Sequence, residues 1–154
     1  GMSESGGRRI KRAILVRVSS IAFVDENHLQ ELEKIERIVP FIKQRKEEIK
    51  AENHANGSDK SLLINGRNMT NIGLFRRYAL AYLQNHPEIN KDLALMVRQL
   101  APTSEGVPIE VYVFSKDKIW ANYEQIMSDI FDHLLAAIPF FKLECFEYTT
   151  TPKL

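Results

Sequence analysis

The chain has 154 residues, of which 44% are apolar and 27% are charged, and its formal net charge is +1. These values are typical of one folded domain with a sizeable core, and the balanced charge gives no reason to expect a polyanion partner through bulk electrostatics. The single cysteine, Cys145, excludes an internal disulfide framework and a multi-cysteine zinc site. No apolar run approaches the length that spans a bilayer, about 18–20 residues, and no stretch resembles a signal peptide.

The amino-terminal residues predict a short tail and then a strand. Residues 1–7 are small and polar, and Gly1 before Met2 indicates the remnant of a cleaved expression tag followed by a linker. Residues 8–154 are predicted to form a single α+β domain. They open with a basic cluster that contains Arg8, Arg9, Lys11 and Arg12. We interpret this cluster as the solvated entrance to a strand at residues 13–18, with contact to lipid headgroups or to another subunit as the alternatives.

A first helix is predicted after Asp25, whose carboxylate is a good amino-terminal cap. Apolar side chains then recur at helical spacing, namely Leu29, Leu32, Ile35, Ile38, Val39 and Ile42. Pro40 lies inside this pattern and is expected to kink the helix or split it in two. Residues 43–52 are mostly charged and predict an exposed helical extension, and residues 53–59 have the composition of a loop.

A small hairpin and another helix are predicted next. Three apolar residues precede Asn65-Gly66, a strong turn signal, so residues 62–70 are interpreted as a tiny hairpin. Thr70 or Asn71 is then expected to cap a helix. The apolar side of this helix contains Ile72, Leu74, Phe75, Tyr78, Ala79, Tyr82 and Leu83. Residues 85–87 should end it, since Pro87 is incompatible with a continuing helix.

The carboxy-terminal part has the most regular pattern. Two apolar runs, residues 93–100 and 107–114, flank a loop that contains glycine and predict an antiparallel hairpin. A helix over residues 119–138 follows, with Trp120 placed in the main core. Residues 143–148 then predict a closing strand.

This order of elements predicts an α+β fold. With residues 44–90 set aside as a helical and hairpin insertion, the remaining elements read βαββαβ, the ferredoxin-like sandwich. The insertion lies between the first helix and the second main strand. Two helices are expected to cover one face of the sheet, and the other face is expected to be open or covered by the insertion.

No residue pattern predicts a catalytic, cofactor-binding or metal-binding site, and we expect no cofactor and no enzymatic activity. His28, His54, His86 and His133 fall in four different elements and form no metal-ligand pair. Asp129 and His133 are four residues apart on one helix, which suits an ordinary surface pair better than a proton relay. Arg98 and Gln99 interrupt an apolar strand. We interpret them as edge or open-face positions, with a buried arginine pair or a subunit contact as the alternative.

Several stretches together carry a family resemblance. They are residues 71–83, 85–87, 96–100 and 129–135, with residues 7–12 leading into the first strand. In these stretches the chain resembles the cytoplasmic end of the mechanosensitive channel family typified by MscS, and most closely its YbdG-like bacterial branch. The resemblance covers most of the chain beyond Ser5 and is weakest at residues 43–60.

The resemblance implies that the chain is one part of a larger assembly. Members of the family are channels gated by membrane tension, built as ring homo-oligomers, usually heptamers, that release solutes during hypoosmotic shock. The α/β domain forms part of a cage below the pore, on the cytoplasmic side of the bacterial inner membrane. Its expected partners are other copies of the subunit and no nucleic acid. Membrane contact is expected only through a region that would precede Ser3.

Two other classes of protein fit the predicted fold. A small-molecule or nucleic-acid binding module is one, since ferredoxin-like sheets often present an open face, although paired aromatic residues for base stacking are missing from the strands. An enzyme of acylphosphatase type is the other, and the acidic turn at residues 24–27 would repel its phosphate. Transmembrane helices encoded upstream would favour the channel.

Overall fold

The computed structural model describes residues 3–4 and 6–148, which form an α+β fold. The strands are β1 (Ser3–Glu4), β2 (Gly7–Val16), β3 (Met96–Gln99) and β4 (Val107–Ser115). The α-helices are α1 (Glu26–Leu32), α2 (Val39–Ala55), α3 (Asn71–Gln84) and α4 (Trp120–Ala137). Short 3-10 turns cover Val18–Ser20, Glu36–Ile38 and Ile138–Phe141.

The strands form one antiparallel sheet in the order β1-β2-β4-β3. The predicted hairpin of β3 and β4 is confirmed, although β3 is shorter than the apolar run that suggested it. The first strand begins earlier than predicted, because β2 starts at Gly7. The basic cluster therefore lies within a strand and not at its entrance. Its side chains alternate across the sheet, so that Arg8 and Arg12 lie over the rings of Tyr123 and Phe131 on α4.

The predicted closing strand at residues 143–148 is wrong as a regular strand. Lys142 adopts a left-handed conformation with a φ of 54°, which turns the chain back towards the end of β2. There Cys145 forms an isolated antiparallel bridge with Val16, and the N–H of Phe146 donates to the carbonyl of Leu15 over 2.9 Å. The contact is confined to the end of β2, so it does not extend into a ladder.

The core lies between the sheet and the helices. From the sheet it takes the buried residues Ile10, Ile14, Val16, Ile109, Val111 and Val113. From α4 it takes Tyr123, Ile126, Met127, Ile130, Phe131 and Leu134. The predicted helix is thus confirmed, but the placement of Trp120 in the core is wrong, since its side chain is 63% exposed. Trp120 is the first residue of α4, and the stripe that meets the core begins only at Tyr123.

The first predicted helix is divided, but Pro40 is not the cause. Asp25 caps α1 as predicted, accepting a hydrogen bond of 2.8 Å from the N–H of His28. The helix ends at Leu32, ahead of Pro40, which instead lies in the first turn of α2. A proline costs little there because its missing N–H would have no partner inside the helix. The exposed charged extension at residues 43–52 is confirmed as the body of α2.

The predicted hairpin at residues 62–70 is also wrong, because the chain forms a loop there with turns and no strand ladder. The loop is closed by the buried side chain of Asn53, which lies in α2 and not in the loop as predicted. Its Oδ1 accepts from the N–H of Arg67 over 2.7 Å, and its Nδ2 donates to the carbonyl of Arg67 over 2.9 Å. Thr70 then caps α3 as predicted, accepting from the N–H of Gly73 over 3.1 Å.

Candidate functional site

The loop between α2 and α3 exposes three consecutive apolar side chains, which we call the apolar tip. Leu62 is 62% exposed, Leu63 40% and Ile64 69%. Single apolar side chains are common on protein surfaces, but an uninterrupted run of large ones is unfavourable in water and usually marks a surface that another molecule covers. The apolar tip is therefore the first candidate for a functional surface.

Hydrogen bonds at its base hold the apolar tip in place. The carboxylate of Asp59 accepts from the N–H of Ser61 over 3.0 Å, and its carbonyl accepts from the side-chain amide of Asn65 over 2.8 Å. The Lys60 ammonium donates to the carbonyl of Leu63 over 3.0 Å and also to that of Asn65. Gly66 lies at a φ of 67°, and a Cβ there would come within 2.4 Å of the Asn53 side chain. These contacts close the base of the loop below the apolar tip.

The two ends of α4 carry further exposed apolar side chains. Ile119 and Trp120 lie at the start of the helix, while Leu135 and Phe140 lie near and beyond its end, with Phe140 72% exposed. Phe140 borders a mostly apolar cavity of about 280 Å³ that Ile35, Tyr78 and Phe141 also line. These side chains have the chemistry of a protein–protein contact, in which aromatic residues are enriched.

A cluster of aromatic and histidine rings adjoins that cavity. The hydroxyl of Tyr78 and Nε2 of His133 are 2.6 Å apart, and the rings of His133 and Tyr82 stack with centroids 4.1 Å apart. Burial, with a smaller effect of the Arg37 charge, lowers the pKa of His133. Burial likewise raises the pKa of Tyr82. The cluster therefore favours a neutral imidazole, which suits packing between α3 and α4.

The residues that the sequence singled out do not converge on a chemical site. Asp129 accepts a hydrogen bond from Gln125 over 3.0 Å, whereas the hydrogen-bond partner of His133 is Tyr78. His28 is buried in α1, and the pKa of His86 is lowered, first by burial and then by the charge of Lys91. Among the described residues, no group of three or more histidine, cysteine or acidic side chains could hold a metal ion.

Arg98 is an edge position, as the first interpretation expected, and the buried member of its ion pair is the carboxylate and not the arginine. Its side chain is on the exposed strand β3, as an edge position should be. It also pairs with a buried partner, since its Nη2 and Nε lie 2.8 and 2.9 Å from Oε1 of Glu110. Glu110 is 6% exposed, so the pair compensates a carboxylate that would otherwise be costly to bury. Gln99 is exposed.

Sequence reasoning missed the apolar tip. The signal was present as Leu62, Leu63 and Ile64 in a row between polar turn residues. Three apolar residues beside an Asn-Gly turn are also the pattern of a short strand, so the sequence predicted a hairpin there. The decisive contact, between Asn53 and Arg67, joins residues that no local pattern links.

Residues 67–138 match the family described as "Mechanosensitive ion channel MscS, C-terminal". The match runs from the end of the loop through α3, the β3–β4 hairpin and α4, just under half of the chain. It supports the resemblance to a cytoplasmic domain of this channel family, which is not a family of enzymes. In the part of the chain that the structure describes, no helix combines the length and apolar character of a membrane span.

Proposed function

We propose that this chain is a cytoplasmic domain of a membrane-tension-gated channel of the MscS family. The observation that carries the proposal is the match of residues 67–138 to the C-terminal region of that family. In this proposal the domain forms part of the cage below the pore and contributes to the response to hypoosmotic shock. The full-length protein resides in the bacterial inner membrane, with this domain on the cytoplasmic side. The domain itself performs no catalysis.

The partner in this proposal is another copy of the same subunit, in a ring homo-oligomer. The apolar tip supports it, because a ring buries the same surface patch in every subunit and so removes three large side chains from water. Leu62 and Ile64 would each contribute about 1.5–3 kcal/mol if fully covered, and less to the extent that they are already shielded. Ile119, Trp120 and Phe140 on the ends of α4 offer a second surface for such a contact.

The finer assignments rest on the sequence and on the strand order. Residues 71–83 and 129–135 resemble the YbdG-like branch. A ferredoxin-like arrangement of residues 8–154 as one domain is supported by the segments beside β2. Strand β4 lies along one side of β2, and the other side has the short strand β1 at its start and Cys145 at its end. In this arrangement residues 44–90 are the insertion, and the apolar tip belongs to it.

Survival of osmotic downshock tests the proposed function. The full-length gene is expressed in bacteria that lack their own tension-gated channels, and the cells are moved from high to low osmolarity. We expect expressing cells to survive and excised membrane patches to show pressure-activated currents. Cells that die as often as the vector control, with the protein present in the membrane and no current in patches, would rule the proposal out.

Site-specific cross-linking tests the ring contact separately. In full-length protein with Cys145→Ser, we label Ile64→Cys with a photoreactive benzophenone maleimide, because a ring contact places Ile64 against a different residue of the next subunit. We expect illumination to give products larger than one subunit. Lys43→Cys is the matched control, because Lys43 is exposed on α2 but lies outside the loop. Cross-linked oligomers of equal yield from both variants would indicate random collision and would remove the apolar tip from the interface.

A further inference from the structure

Four arginine side chains line one groove between α2 and α3, which we call the arginine groove. They are Arg45 on α2, Arg67 at the end of the loop, and Arg76 and Arg77 on α3. The groove has a volume of about 380 Å³ and no acidic residue in its lining. In a chain whose net charge is only +1, this is a local concentration of positive charge that the overall composition does not require.

The four guanidinium groups are not equally compensated. Arg67 pairs with Glu52 over 2.9 Å, and Arg45 approaches Glu48 at 3.5 Å. Arg76 and Arg77 have no carboxylate within ion-pair distance among residues 3–4 and 6–148. Moreover, Nε of Arg76 is buried with no hydrogen-bond partner in the described part of the chain. A buried charged donor without an acceptor is costly, and an anion held by the outer N–H groups of the same guanidinium would offset that cost through its charge.

The groove also holds its arginine side chains in position. The guanidinium carbons of Arg77 and Arg45 lie 4.2 and 4.8 Å from the centroid of the same ring, Phe41. Such stacking fixes the plane of a guanidinium group while its N–H groups stay available for hydrogen bonds. Thr70, the amino-terminal cap of α3, and Gly73, in its first turn, line the groove too, so the positive end of the helix dipole adds to the charge.

From these contacts we propose that the arginine groove binds a small soluble molecule that carries a phosphate group. Two uncompensated guanidinium groups and the start of a 14-residue helix suit the double charge and the several acceptor oxygens of a phosphate. Phe41, Leu80 and Val97 supply an apolar wall for the rest of the ligand. The volume is in the range of small-molecule sites, about 300–1,000 Å³. The proposal does not depend on the channel function.

Calorimetric titration with inorganic phosphate and with pyrophosphate tests the site, because these probes carry the shared chemistry of any phosphorylated ligand. We expect saturable binding that Arg76→Gln and Arg77→Gln each weaken at least about tenfold. Lys43→Gln removes the same charge from an exposed position on α2 outside the groove, and it should change the affinity less than about twofold. Amide chemical shifts should move in residues 70–80 on addition of phosphate.

Several results would overturn the proposal. One is the lack of saturable binding of either probe to the folded protein. Another is an equal loss from Arg77→Gln and Lys43→Gln, which would reduce the effect to general charge attraction. A third is binding to phosphatidylglycerol vesicles but not to soluble pyrophosphate, which would assign the groove to a lipid surface. Arg77 is exposed, so Arg77→Gln keeps the test valid even if Arg76→Gln does not fold.

Discussion

Truncation of Ile130 is the sharpest test of the packing around α4. Ile130 is completely buried in the stripe that α4 presents to the core. Ile130→Ala removes three carbon atoms from water-free surroundings and leaves a cavity, a change that costs about 2–5 kcal/mol. Since no part of the side chain reaches solvent, we expect about 3–4 kcal/mol, a large share of the ~5–15 kcal/mol that stabilises a typical domain.

The neighbouring residue supplies the control. Asp129 is exposed, and its carboxylate accepts one hydrogen bond from Gln125 within the same helix. Asp129→Ala should therefore change the free energy of unfolding by no more than about 0.5 kcal/mol. Urea unfolding followed by far-ultraviolet circular dichroism measures both variants. Equal midpoints for Ile130→Ala and Asp129→Ala would refute the burial of Ile130 and, with it, the orientation of α4.

The same pair of positions connects the fold with the proposed function. In the full-length protein, Ile130→Asp places a carboxylate in the core, and an unpaired buried charge costs several kcal/mol beyond the lost apolar contact. We expect this variant to fail to protect cells from osmotic downshock, while Asp129→Lys protects nearly normally. If Ile130→Asp channels assemble and gate like the wild type, a folded domain is not needed for the cage.

Three further predictions concern single side chains. Asn53→Ala should lower the free energy of unfolding by about 2–4 kcal/mol, because the backbone N–H and carbonyl of Arg67 lose their partner. It should also speed amide hydrogen exchange throughout the loop, and unchanged exchange would contradict the closure of the loop by Asn53. Trp120→Ala should lower the free energy of unfolding by less than about 1 kcal/mol, since most of the ring is in water. A decrease of about 3 kcal/mol or more in urea unfolding would show that Trp120 is buried in the core. His133 has a lowered pKa in the folded chain, so its neutral form contributes stability that is complete above about pH 6.5 and is lost as the pH falls through the folded pKa. The stability of wild type relative to His133→Phe should therefore decrease between about pH 7.5 and 5, and a difference that stays constant would contradict the shift.

Local patterns predicted the elements whose partners are close in sequence. The cap at Asp25 depends on a residue three positions away, and so does the cap at Thr70. The β3–β4 hairpin is fixed by a short loop and by alternation along β4. The stripe on α4 is long enough that its period identified the buried side, including Ile130. In each case the residues that determine the element are close together in the sequence.

The errors occurred where a distant contact decides the outcome. Trp120 matches the period of α4, but the core ends at Tyr123, and only the position of the sheet determines that limit. Pro40 was expected to interrupt a helix, yet the chain had already turned before it, which placed the proline in a first turn where it is tolerated. The arginine groove joins residues of α2 and α3 that no sequence motif connects, so it was invisible before the fold was known.

The closure of the loop by Asn53 and Arg67 has a consequence for how this segment can vary. Both hydrogen bonds join the two ends of the loop, so the spacing between α2 and α3 is set there and not by the residues in between. Doubling the length of a closed flexible loop adds only about 0.6 kcal/mol of closure entropy. The residues between the two ends can therefore differ in number, and the tip can differ in polarity, without a change in the positions of α2 and α3.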